Sequence, residues 1–180
     1  MNPVFMNKND LIKKMIGQEA QRRFTSEEKL REYGDFAWDK GKEAADDCSM
    51  KYDKLTPVQL AQALGLTVED MDGPGFYYSE YHTVRNKIVL FKNTIEDKFI
   101  RIESSNLLTC EYEIIRQLFL AHEIFHHLEC SDPEIGITYK QRQVTVFSLG
   151  PFKWNTGLRC LSEIAAHSFA LSLAGKGTIY

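Results

Sequence analysis

Between Ile114 and Leu128 the apolar residues Ile114, Leu118, Ala121, Phe125 and Leu128 recur at alternating steps of four and three, the spacing that aligns one face of an α-helix. No Gly or Pro interrupts the stretch from Thr109 to Glu129, Glu111 and Glu113 stand where a helix N-terminus favours negative charge, and Ser131-Asp132-Pro133 supplies a stop. This pattern predicts a helix from about 109 to 129. A second stripe, Ile115, Phe119, His122 and His126, runs beside the first. Downstream, a second helix is predicted from about 156 to 174, with Asn155 or Thr156 able to cap its start and Gly175 placed to end it.

The N-terminal third also carries helical periodicity. Segments of about 10–24 and 26–53 read as helices, the second opening with the capping-box pattern Thr25-x-x-Glu28. Its Leu30, Tyr33, Phe36, Ala37, Ala44, Ala45 and Cys48 share a face, which Gly34 and Gly41 weaken. Pro57 and Gly65 bracket a short helix from Val58 to Leu64. Short β-rich segments then follow at Leu66 to Val68, Phe76 to His82 and Lys87 to Phe91, separated by Asp72-Gly73-Pro74-Gly75 and by Arg85-Asn86. Thr145 to Leu149 reads as a further strand, placed near a substrate cleft.

The second stripe of the 109–129 helix carries the chemistry. His122-Glu123-Ile124-Phe125-His126 is H-E-x-x-H, which in a helix puts two imidazoles one turn apart on one face. Given the His and Glu content of the chain, chance would produce such a string in about one chain in a hundred. Zinc takes nitrogen and sulfur ligands in a tetrahedron, a catalytic site leaves one position for water, and a carboxylate beside the first histidine can take that water's proton.

Four residues are candidates for a third ligand. Cys130 and Glu129 lie on the continuation of the same helix, where ligands enclose a metal poorly. Asp132 falls where a metzincin pattern places a ligand, but Glu129 stands in place of the glycine that pattern needs. Glu163, on the 156–174 helix, shares a face with Ala166, His167 and Ala170, and small alanines there would let the two helices lie close. From spacing alone Glu163 reads equally well as a solvated helix charge.

H-E-x-x-H preceded by Arg116-Gln117-Leu118-Phe119-Leu120-Ala121 and followed by E-x-x-A-x-x-F-A at Glu163 resembles the ImmA/IrrE family of bacterial zinc metallopeptidases. The resemblance extends upstream through Thr56-Pro57-Val58-Gln59-Leu60-Ala61 and Asn86-Lys87-Ile88-Val89-Leu90-Phe91, and covers about 56–174. It implies that His122, His126 and Glu163 hold one Zn2+ per chain, that Glu123 is the general base, and that the substrate is a specific protein, with helix-turn-helix repressors as the type linked to the family. It further implies that a sheet edge holds the peptide in an extended form. The chain departs from the family at His167, where Asn is common, at Phe125, where Gly is frequent, and in its additional His127. His167 reads as second shell around the metal, and His127, turned about 100° from His126, reads as packing rather than ligation. His82 and Tyr139 are the candidates for stabilising an oxyanion.

The 180 residues, 43% of them hydrophobic, suffice for one core. The net charge of -3 and the lack of a long basic run give nucleic acid no electrostatic foothold, and the pairs Lys13-Lys14 and Arg22-Arg23 read as solvated helix faces. No apolar h-region or membrane span is evident, and Cys48, Cys110, Cys130 and Cys160 occur singly without a C-x-x-C, so a cytoplasmic chain with reduced thiols is expected. The expected architecture is an α+β zincin-like domain over 56–180, its small twisted sheet packed on the H-E-x-x-H helix, with residues 1–55 as a helical extension packed on that core. Two rival functions remain: a catalytically silent zinc module that sequesters a regulatory protein, and a hydrolase acting on small amides.

Overall fold

The computed structural model describes residues 7–53, 55–104 and 112–175. Among them are seven α-helices and two small sheets, a mixed α+β architecture. The first helices are α1 (Lys8–Gln18) and α2 (Glu27–Lys51), joined by a 3-10 turn over Ala20–Phe24. Asn7 caps α1, and Ser26 rather than Thr25 caps α2, its hydroxyl accepting from the Lys29 amide at 3.3 Å. The expected Thr25–Glu28 box does not form; of two adjacent residues able to cap, the chain uses the later one. Helix α3 (Pro57–Ala63) has a capping box between Thr56 and Gln59 with Pro57 in its first turn, and Gly65 leaves the helix at φ +70°.

Three strands form the first sheet: β1 (Thr67–Met71), β2 (Ser79–His82) and β3 (Lys87–Phe91), in the order β1-β3-β2. Central β3 runs parallel to β1 and antiparallel to β2, and Ile88, Val89, Leu90 and Phe91 are all buried, the unbroken apolar run of a strand covered on both faces. β2 is shorter than the Phe76 to His82 segment expected: residue pairing starts at Ser79, and ahead of it the Tyr78 carbonyl still accepts from the Phe91 amide at 2.9 Å. Next come α4 (Lys92–Ser104), which the periodicity did not announce, and α5 (Tyr112–Ser131), the H-E-x-x-H helix. Thr109, Cys110 and Glu111, at the expected start of α5, lie outside the described residues. Arg116 of α5 grips Asp70 of β1 with two hydrogen bonds of 3.0 and 2.7 Å, fixing sheet to helix.

A one-turn helix α6 (Thr138–Gln141) leads into a hairpin of β4 (Gln143–Leu149) and β5 (Phe152–Gly157), and the last element is α7 (Cys160–Gly175). The helix expected from Thr156 therefore starts later. Asn155 and Thr156 belong to β5, and Asn155 accepts from the Thr145 hydroxyl at 2.8 Å instead of capping a helix.

Helix α7 lies between α2 and α5. Its Leu161, Ile164, Ala165, Ala166, Phe169, Ala170 and Leu173 are buried in one apolar cluster that also takes residues from α1, α2, α3, α5 and β3. Residues 7–53 thus share the core of the rest. Gly41 is where α2 approaches closest, its Cα turned onto the Ala165 carbonyl so that any Cβ would overlap that backbone oxygen. Glu19 completes the seat of α7 by accepting from the Cys160 amide at 3.1 Å, placing a carboxylate at a helix N-terminus.

Replacing Gly41 by Ala tests this packing. In an exposed helix the change would stabilise by about 1 kcal/mol. Here backbone must move, and the expected result is a loss of about 1–3 kcal/mol in urea unfolding. A gain in stability would show that α2 and α7 are not in close contact at this point.

Candidate metal centre

The helical period brings His122 and His126 one turn apart on α5, and their Nε2 atoms are 3.2 Å from each other. From the first turn of α7 the Glu163 carboxylate reaches both, with Oε2 at 3.2 Å from His122 Nε2 and Oε1 at 3.5 Å from His126 Nε2. Ligands about 2.0–2.1 Å from a tetrahedral zinc are about 3.4 Å from one another. The triangle of 3.2, 3.2 and 3.5 Å has the size of one face of that tetrahedron. Among the described residues this is the one group of His, Cys, Asp and Glu arranged to hold a metal ion.

The protonation states agree with close charge pairing. Burial opposes the charge on Glu163, but hydrogen bonds from His122 and His126 outweigh it and hold the carboxyl well below its ordinary range. Burial likewise works against a charged His126, yet its contacts with Glu129 and Glu163 lift it to about 10.

Of the other ligand candidates, Cys130 is exposed, and Asp132 closes a turn by accepting from the Glu134 amide at 2.9 Å. Glu129 sits behind the site. One of its oxygens faces His126 Nδ1 at 3.3 Å and the other accepts from the Thr138 amide at 2.8 Å and the Ser162 hydroxyl at 2.9 Å. With Nδ1 engaged by Glu129, the Nε2 of His126 is the ring nitrogen that faces Glu163 and His122, a donor to the carboxylate while the ring is charged and a lone pair for a metal once that proton is lost. The same carboxylate ties α6 and α7 to the histidine helix. Its spacing three residues after His126 was visible in the sequence; its partners, on two other elements, were not.

Glu123, buried on α5, accepts from the Ser79 hydroxyl of β2 at 2.7 Å. Sequence reasoning gave no sign of Ser79, which lies 44 residues from its partner. Both residues line a cavity of about 210 Å³ together with His122, Glu163 and His167. Phe76, Tyr77 and Tyr78 form one wall, Tyr78 stacked on Phe119 with ring centroids 4.7 Å apart. The Asn93 side chain holds this loop in place, accepting from the Gly73 amide and donating to the Gly73 carbonyl at 3.0 Å each. Gly73 rests on the Phe91 ring with no room for a Cβ.

His167 enters the cavity, but its Nδ1 donates to the main-chain carbonyl of Glu163 at 2.9 Å rather than to that residue's carboxylate. Burial, reinforced by neighbouring His122, pushes its pKa down to about 4. His127 points elsewhere: its Nδ1 shares a hydrogen bond with the Tyr81 hydroxyl at 2.9 Å, pinning β2 to α5, and burial lowers its pKa. Neither His82, which faces Glu80, nor Tyr139, packed against Gly157, lines the cavity. The β4–β5 hairpin does not line it either, contrary to the expected place of Thr145 to Leu149.

Comparison with protein-family models, curated proteins and solved structures finds no match. The site therefore rests on its own geometry.

Substitutions should rank the ligands by their contacts. Glu163→Ala is expected to weaken zinc binding at least about 100-fold, Glu129→Gln by about 10–100-fold, and Cys130→Ala and Asp132→Ala hardly at all. Competition titration with a chromogenic chelator reads all four. Strong loss in Cys130→Ala with none in Glu163→Ala would move the third ligand onto α5.

Proposed function

We propose that this protein is a zinc-dependent peptidase that cleaves a specific protein substrate. The observation that carries the reading is the combination of a ligand triangle of zinc dimensions with a buried, hydrogen-bonded Glu123 beside it in the same cavity. His122, His126 and Glu163 would hold one Zn2+, which when bound supplies a Lewis acid and a water of lowered pKa. A purely structural site has no need of Glu123.

The chain's own groups then divide the work. Glu123 takes the proton of the attacking water and delivers it to the leaving amine. Ser79 donates to Glu123 Oε1 at 2.7 Å, holding the carboxylate in one rotamer and leaving Oε2 as the proton acceptor. Ser79 also belongs to β2, an edge strand of the sheet, so an extended peptide added along β2 would pass Glu123 and the triangle. The cavity, with its wall of Phe76, Tyr77 and Tyr78, has room for about one large side chain and favours an apolar one. The resemblance to ImmA/IrrE peptidases supports a regulatory protein as substrate, with a helix-turn-helix repressor as the first to try, and a cytoplasmic setting. No helix among the described residues is long and apolar enough to cross a membrane.

The deciding variant is Glu123→Gln, which keeps size while removing the base. It should retain about one zinc per chain and its partner, yet cleave at least about 100-fold more slowly. Single-turnover cleavage of candidate regulators, with metal content measured on the same sample, gives both values. If Glu123→Gln supports the full biological response, proteolysis is not the function and sequestration of a regulator replaces it. Ser79→Ala is expected to lower kcat by about tenfold with KM little changed, the signature of a positioning group for the base.

A further inference from the structure

The β4–β5 hairpin pairs with no other strand among the described residues. Its base is fixed to the body, with Val144 buried and the Tyr33 hydroxyl donating to the Gln143 carbonyl at 3.1 Å. Past the irregularity between Thr145 and Phe147, every residue from Phe147 to Asn155 is exposed, so the distal half stands out as an arm. The register sets Phe147 opposite Trp154 and Leu149 opposite Phe152. Opposed residues of an antiparallel ladder share a face, as do residues two apart. All four therefore crowd one face, with Phe147 57%, Leu149 67%, Phe152 76% and Trp154 70% exposed. The reverse face at these rungs carries Ser148 opposite Lys153.

A two-stranded hairpin without a second layer is marginal in water, and a contiguous apolar patch of this size marks a contact surface. We propose that this face joins two copies of the chain, the arms stacking about a two-fold axis into a small four-stranded sandwich. Area and charge select this occupant. At ordinary side-chain sizes the four residues expose about 500 Å² per copy, so self-pairing covers about 1,000 Å² in total, the lower bound for a specific interface. The face has no charged side chain, the composition of a homodimer contact. Single-stranded nucleic acid and anionic bilayers instead call for cations beside the aromatics, and Lys153 projects from the opposite face. Because the arm does not line the cavity, two copies leave both candidate metal centres open, and the inference stands apart from the peptidase reading.

Sedimentation velocity of the full chain across micromolar concentrations tests it. The intact protein should sediment as a dimer. Phe147→Ser and Trp154→Ser, both at exposed positions, should each raise the dissociation constant at least about tenfold, the scale for losing a buried aromatic anchor. Their far-ultraviolet circular dichroism should be unchanged, and Lys153→Glu should leave the dimer intact. A monomer throughout the range overturns the proposal, as does a dimer that survives the combined Phe147→Ser and Trp154→Ser change. Monomers that co-sediment with phosphatidylglycerol vesicles and lose this in both Trp154→Ser and Lys153→Glu would assign the face to lipid, also overturning it.

Discussion

An ionised carboxylate removed from water persists only where its oxygens are satisfied, and Glu129 meets that condition with groups from three helices. His126 comes from α5, the Thr138 amide from α6 and the Ser162 hydroxyl from α7. Removing one partner from such a buried pair typically costs about 3–5 kcal/mol. The orientation of His126 is consequently enforced by the fold itself, before any metal is considered. Ser162 precedes Glu163, so the bond that satisfies Glu129 also sets the first turn of α7 against the histidines. Burial of this one charge makes the candidate metal geometry part of the folded state.

Position along α7 is set by packing on its other side. Ala165 meets α2 at Gly41, while the Ser168 hydroxyl donates to the Trp38 carbonyl at 2.6 Å. Add the Glu19 contact at the Cys160 amide, and three separate points of the N-terminal region hold the helix that carries Glu163. Residues of α1 and α2 lie in the same buried cluster as those of α5 and α7. Truncating the first helices would remove the support of the helix that carries Glu163. Glycine at position 41, unfavourable for an isolated helix, is explained by a contact with Ala165 more than a hundred residues away.

Which features could be read from the chain depended on whether their causes are local. The stripe from Ile114 to Leu128, the H-E-x-x-H spacing and the Pro57–Gly65 bracket are periodicity and backbone chemistry within a few residues, and each recurs in the structure near its expected place. Where two elements share the same local signals, reading failed: Asn155 and Thr156 suit a helix cap, and they equally suit a strand end, which is what pairing with β4 makes them. Likewise Thr25 and Ser26 are equivalent as caps until the chain path picks one. The triangle of His122, His126 and Glu163 needed α7 to be placed on α5, and Ser79 needed β2 beside Glu123. These are long-range facts, invisible to spacing.

His167 shows how local hydrogen bonding divides the imidazoles of one cavity by role. His126 donates to a carboxylate and its charged form is favoured, so it can exchange a proton for a metal ion. His167 donates its Nδ1 proton to a main-chain carbonyl and is kept neutral by burial, with a pKa of about 4. A neutral imidazole with Nδ1 protonated has only an acceptor at Nε2. Any group that meets His167 Nε2 from the cavity must therefore bring a donor of its own, an N–H or O–H. Its donor is already committed to the Glu163 carbonyl, so among the imidazoles of this site His167 offers an acceptor alone, whereas His126 holds a carboxylate on each ring nitrogen.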